Sequence, residues 1–125
     1  MRVLETPGHT FGTASFLFEV REEGHIYHAL TVGGLGLNAI ENVQQVEAFI
    51  DSVVRLRGIV AAPDRPITVH LTTHPFATGF FELATAARNR QRGAPNPLVD
   101  QAAIVQQLIE LEKAARERLE IERRK

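Results

Sequence analysis

Two β-rich runs, Ala14–Val20 (ASFLFEV) and His25–Val32 (HIYHALTV), are separated by a turn containing Glu22-Glu23-Gly24. Such a pair reads as a hairpin. Both runs carry apolar residues on both parities, so the sheet they build is expected to be covered on both faces. A chain that begins this way must supply layers to pack on that sheet.

The layers follow in the sequence. Ile40, Val43, Val46, Phe49, Ile50, Val53 and Val54 recur at three- and four-residue steps, the period of an amphipathic helix. Asn38 with Glu41 three residues on reads as its capping box, and Gly58 as its end. Before the hairpin, Arg2–Thr6 reads as a short strand entering a Pro7-Gly8 turn. After the helix, Pro63–Pro66 is a turn, Ile67–Leu71 a short strand, and Phe80–Arg90 a second helix. Gly93 and Pro95 precede a third helix, with Asn96 as cap and Pro97 at the first helical position. Strands, helix, strand, helix, helix make an α/β fold with helices packed on a sheet.

Composition narrows the function classes. At 125 residues, 44% hydrophobic and 23% charged, the chain is one domain or part of one. A net charge of −1 and a pI near 6.5 provide no basic field for nucleic acid or an anionic membrane. The absence of cysteine removes disulfides, thiolate metal sites and cysteine nucleophiles together. No apolar run is long enough to span a bilayer. Met1–Glu5 lacks the apolar stretch of a secretory signal. The one concentration of charge, Glu110–Lys125, alternates in sign at helical spacing and reads as a solvated helix face.

Histidines are the only soft metal ligands left. His9 sits in Thr6-Pro7-Gly8-His9-Thr10, where a rigid turn fixes the backbone and reduces the entropy an imidazole loses on binding metal. From the pentapeptide alone, a ligand and a surface-loop histidine are both open readings. His74 leaves the Ile67–Leu71 strand just before Pro75, at the carboxyl end where open α/β sheets place their sites. His70 reads as a hydrogen-bonded strand histidine, His25 as exposed beside the hairpin turn, and His28 as core or edge packing. No His-x-His pair and no HExxH occurs, and catalytic zinc usually takes three protein ligands. The Gly33-Gly34-Leu35-Gly36 run matches no phosphate-loop pattern and reads as a tight turn. Ser15 and Ser52 stand in no nucleophile motif.

Taken in order, Thr6-Pro7-Gly8-His9-Thr10, the hairpin, Thr73-His74-Pro75 and Asn96-Pro97-Leu98-Val99-Asp100 resemble the C-terminal half of metallo-β-lactamase-fold proteins, the third subclass (B3) above all. The resemblance runs over residues 1–111, half of an αβ/βα sandwich, and leaves 112–125 as a charged helical tail. It implies that His9 is the third ligand of one zinc ion and that His74 is a ligand of a second. It assigns no other catalytic residue to the chain. A metal-bound hydroxide would open a cyclic amide, or a related lactone or thioester.

In that family an N-terminal half contributes a His-x-His-x-Asp-His motif, which this sequence does not contain, so only part of the two-zinc site is present. Ala29-Leu30 also stands where the third subclass shows Asp-Ser, which leaves the substrate open. The expectation is part of a zinc hydrolase, silent alone, with one wall of a small-molecule pocket formed by His9, the Gly33–Asn38 loop and His74. A dimerising module without metal dependence is the alternative. A further one is a split enzyme whose partner chain brings the missing half. A periplasmic or secreted location would follow if a signal lay upstream.

Overall fold

In a computed structural model, residues 1–34, 36–72 and 79–125 are described. They form a four-stranded sheet and three helices. In chain order these are β1 (Arg2–Glu5), β2 (Ala14–Glu22), β3 (His25–Thr31), α1 (Val43–Val60), β4 (Val69–His70), α2 (Phe80–Asn89) and α3 (Gln101–Arg123). The sheet order is β1-β2-β3-β4. The first three strands form an antiparallel meander, and β4 joins β3 in parallel after the α1 crossover. That is the α/β layout expected from the sequence, and α1 supplies the long connection that a parallel pair requires.

The register decides which side chains face the helices. Leu4 pairs with Ser15 and Leu17 with Leu30, which puts Leu4, Leu17 and Leu30 on one face. Helix α1 presents Val46, Phe49, Ile50, Val53, Leu56 and Val60, and α3 presents Ile104, Leu108, Ala115 and Leu119. These form one core cluster with Leu4, Leu30, Val32 and Ile67. Each such Leu, Val, Ile or Phe contributes roughly 1.5–3 kcal/mol by leaving water. Val3 pairs with Phe16 on the opposite face, and Val3 is 58% exposed. Coverage of both faces, the expectation from parity, therefore does not extend to this edge.

The cap of α1 differs from the sequence reading. It is Asn42, whose Oδ1 accepts the Gln45 N–H at 2.8 Å. Asn38 and Ile40 lie in the preceding loop, where the Ile40 N–H bonds the Leu37 carbonyl. Ile40 is buried there as loop, not helix, so its place in the apolar period does not make it helical. The helix also continues past Gly58 to Val60. Burial of Val60 in the core outweighs the ~1 kcal/mol that an exposed glycine costs a helix.

The third helix likewise starts later than expected, with Asp100 Oδ1 accepting the Ala103 N–H at 3.0 Å. Asn96 instead closes a local turn onto Leu98 N–H and donates from its amide to Glu22. Val99 forms a bridge to Val69, which holds residues 96–99 at the sheet edge. The charged stretch after Glu110 is the continuation of this helix, with Arg116–Glu112 and Arg118–Glu122 pairs at i, i+4. Ala115 and Leu119 on the same stretch are core residues. No helix among the described residues is long and apolar enough to cross a membrane.

Candidate metal centre

His9 lies in the loop between β1 and β2. The Thr6 N–H bonds the Thr13 carbonyl at 3.0 Å and the Gly8 N–H bonds the Thr10 carbonyl at 2.9 Å, which closes the loop on itself. Gly8 has φ +145° and is packed so tightly on α1 that a Cβ there would lie 2.3 Å from the Phe49 Cα. Only glycine meets both demands. Gly34 approaches from the other side, where a Cβ would lie 2.6 Å from the His9 Cβ. Gly34 and Gly36 thus do more than turn the chain, because they form the surface against which the His9 imidazole is seated.

That seating sets the ring's chemistry. His9 Nδ1 lies 2.7 Å from the Gly36 carbonyl oxygen. A carbonyl only accepts, so Nδ1 carries the hydrogen and the Nε2 lone pair is left free for a ligand. A histidine held in this way by a backbone carbonyl has the tautomer and orientation of a metal ligand. The ring is half-buried.

Polar side chains anchor the loop from beneath. Ser52 donates to the Pro7 carbonyl at 2.7 Å, and the Thr6 and Ser15 hydroxyls lie 2.8 Å apart. Ser15 also accepts the Gly33 N–H, tying the two loops together. Gln45 donates to the His9 and Ala39 carbonyls, both at 2.9 Å, and accepts the Glu41 N–H at 3.0 Å. Sequence reasoning misses these residues because no motif contains them. The available signal is that Gln45 and Ser52 fall on the same helical stripe as Phe49, where apolar residues are otherwise required.

The other histidines are placed elsewhere. His74 lies outside the described residues. His70 on β4 is half-buried, with Nδ1 3.0 Å from Gln107 Oε1 on α3. Its Nε2 is sealed from solvent and has no hydrogen-bond partner among the described residues. Burial holds the His70 pKa below the ordinary imidazole value, against the opposing pull of the Gln107 hydrogen bond. His70 borders a cavity of about 310 Å³ lined also by Phe80, Leu83, Leu98, Ile104 and Gln107, and no residue of the His9 loop contributes to it. His25 is exposed and His28 half-buried, as expected. Among the described residues no three His, Cys, Asp or Glu side chains come together to hold a metal ion. His9 offers one nitrogen, and by themselves these residues do not fit a zinc ion.

Solved structures similar to this chain include metallo-β-lactamases. BJP-1, a subclass B3 enzyme of Bradyrhizobium japonicum, superposes with a TM-score of 0.76 over 96% of this chain and 44% of its own, at 19% identity. FEZ-1 from Legionella gormanii gives 0.78 over 97% and 45%, at 18% identity. GOB-18 from Elizabethkingia meningoseptica gives 0.60 over 94% and 43%, at 22% identity. The part matched is the C-terminal half of those proteins. The chain has the fold of the C-terminal half of a subclass B3 metallo-β-lactamase.

This metallo-β-lactamase half-fold spans less than half the length of the structures it matches. At these identities the likeness is one of fold. No protein-family model matches the chain, and no curated protein matches it.

Proposed function

We propose that this metallo-β-lactamase half-fold supplies one side of a zinc-hydrolase site, with His9 and His74 as its metal ligands. The carrying observation is the His9 imidazole, whose Nδ1 is fixed by the Gly36 carbonyl so that Nε2 is free to bind. The half-fold's relation to whole metallo-β-lactamases supports the same reading. The remaining ligands must come from a segment carrying His-x-His-x-Asp-His, in the same polypeptide or a partner, and the 125 residues alone are inactive. Bound zinc supplies Lewis acidity and lowers the pKa of water. The chain's own part is to hold Nε2 of His9 in place and to form one wall of the pocket from His9, the Gly33–Asn38 loop and His74. The substrate class is a cyclic amide, or a lactone or thioester of similar shape.

A second reading is favoured by one observation. Val3, Phe16 and Phe18 share the sheet face turned away from the core, with Val3 largely exposed. That face would be covered by the complementary half or by a second copy of the chain, the latter making a dimerising module without metal dependence. Equilibrium dialysis against zinc separates the two. Zinc binding that weakens in His9→Ala and His74→Ala but not in His25→Ala supports the hydrolase reading. A zinc-indifferent dimer would replace it with the second.

A further inference from the structure

We infer that Gln45 is a positioning residue for the His9 imidazole, an inference that rests on the metal-ligand reading of His9. Gln45 is 6% exposed and sits in the first turn of α1, on the core-facing stripe. Its carboxamide makes three hydrogen bonds, to the His9 carbonyl, the Ala39 carbonyl and the Glu41 N–H. Two acceptors and one donor around it fix which end is nitrogen and which is oxygen.

The geometry links the two segments that define the imidazole's state. One is the His9 main chain. The other is the 36–41 loop, whose Gly36 carbonyl holds Nδ1. A single buried amide therefore sets the spacing between His9 and the acceptor that selects its tautomer. Ser52 provides the contrast. It anchors the same loop through Pro7, with a hydrogen bond that goes neither to His9 nor to the 36–41 segment. Loss of Ser52 removes an anchor and leaves the spacing between His9 and Gly36 in place.

The test is imidazole nitrogen NMR on the full ¹⁵N-labelled chain, followed by titration with zinc chloride. Wild-type His9 is expected in the Nδ1–H tautomer. In Gln45→Met, with the amide removed at similar size, His9 should populate both tautomers. Gln45→Glu keeps the acceptor for Glu41 but loses both donors when ionised, and should show the same change if Gln45→Met does not fold. Ser52→Ala should lower stability with the tautomer unchanged. An unchanged tautomer in both Gln45 variants, or an equal change in Ser52→Ala, would overturn the inference. A tautomer change specific to the Gln45 variants, in a wild-type chain whose His9 ignores zinc, would uphold the positioning role and sink the metal reading.

Discussion

The Nδ1 of His9 and the carbonyl oxygen of Gly36, 27 residues apart, are 2.7 Å from each other. Gly34, two residues before that carbonyl, lies under the same ring. A side chain on Gly34 would occupy the space that the ring takes.

Gly34→Ala should therefore displace the imidazole. The new Cβ would lie 2.6–2.8 Å from three His9 side-chain atoms, and overpacking of this kind costs about 1–3 kcal/mol. Gly12→Ala, where a Cβ meets nothing within 4 Å, serves as the control. Thermal unfolding should separate the two, and equal melting temperatures would contradict the seating described for His9.

His70 makes stability fall in mild acid. Burial lowers its folded pKa below the ordinary imidazole value of 6.5, so below that pH the unfolded chain binds more protons than the folded one. The effect is absent above the unfolded pKa, sets in as pH drops below it, and levels off once the folded pKa is passed. His70→Leu should lose less stability than wild type between neutral pH and the acid side of 6.5. Parallel denaturation curves for the two proteins across that range would assign the acid sensitivity elsewhere.

Helix capping gives a direct check on where α1 and α3 begin. Asn42→Ala and Asp100→Ala should each cost about 0.5–2 kcal/mol, while Asn38→Ala should cost little. Urea unfolding of the three variants measures this. A loss confined to Asn38→Ala would move the start of α1 back to the earlier loop.

Much of the architecture is legible in the amino-acid sequence. The hairpin turn, the period through Phe49 and Val53 and the breaks at Gly93 and Pro95 mark where most of the strands and helices lie. The boundaries are not legible, because Ile40, Val60 and Val99 are placed by tertiary burial and edge pairing, which local patterns do not encode. His9 stands out by its Pro-Gly turn. Its supports do not: Gln45 and Ser52 act through main-chain carbonyls more than 30 residues away, and no spacing along the chain announces such a contact.

Arg118 forms a second long-range clamp, on the loop that leads from Gly36 into α1. Its guanidinium donates to the Ile40 carbonyl at 2.8 Å and pairs with Glu122 at 2.7 Å. The Arg118 hydrogen bond, with help from Lys125, holds the Glu122 carboxyl below its usual range. The paired carboxylate stabilises the fold above the unfolded pKa, and this contribution is lost as pH falls through the lower folded value. Arg118→Leu should speed amide hydrogen exchange around Ile40 while leaving exchange in β2 and β3 unchanged. Uniform acceleration across the chain would mean that the pair serves global stability and not this loop.

Whether His9 offers a free Nε2 to a metal is tested most directly by a zinc titration of the full chain, followed at all five histidine side chains by nitrogen NMR. His9 Nε2 and His74 are expected to respond first, with Nδ1 of His9 still protonated, while His25, His28 and His70 stay unchanged. A first response at the exposed His25, or an equal response at every ring, would contradict the assignment of His9 as a metal ligand.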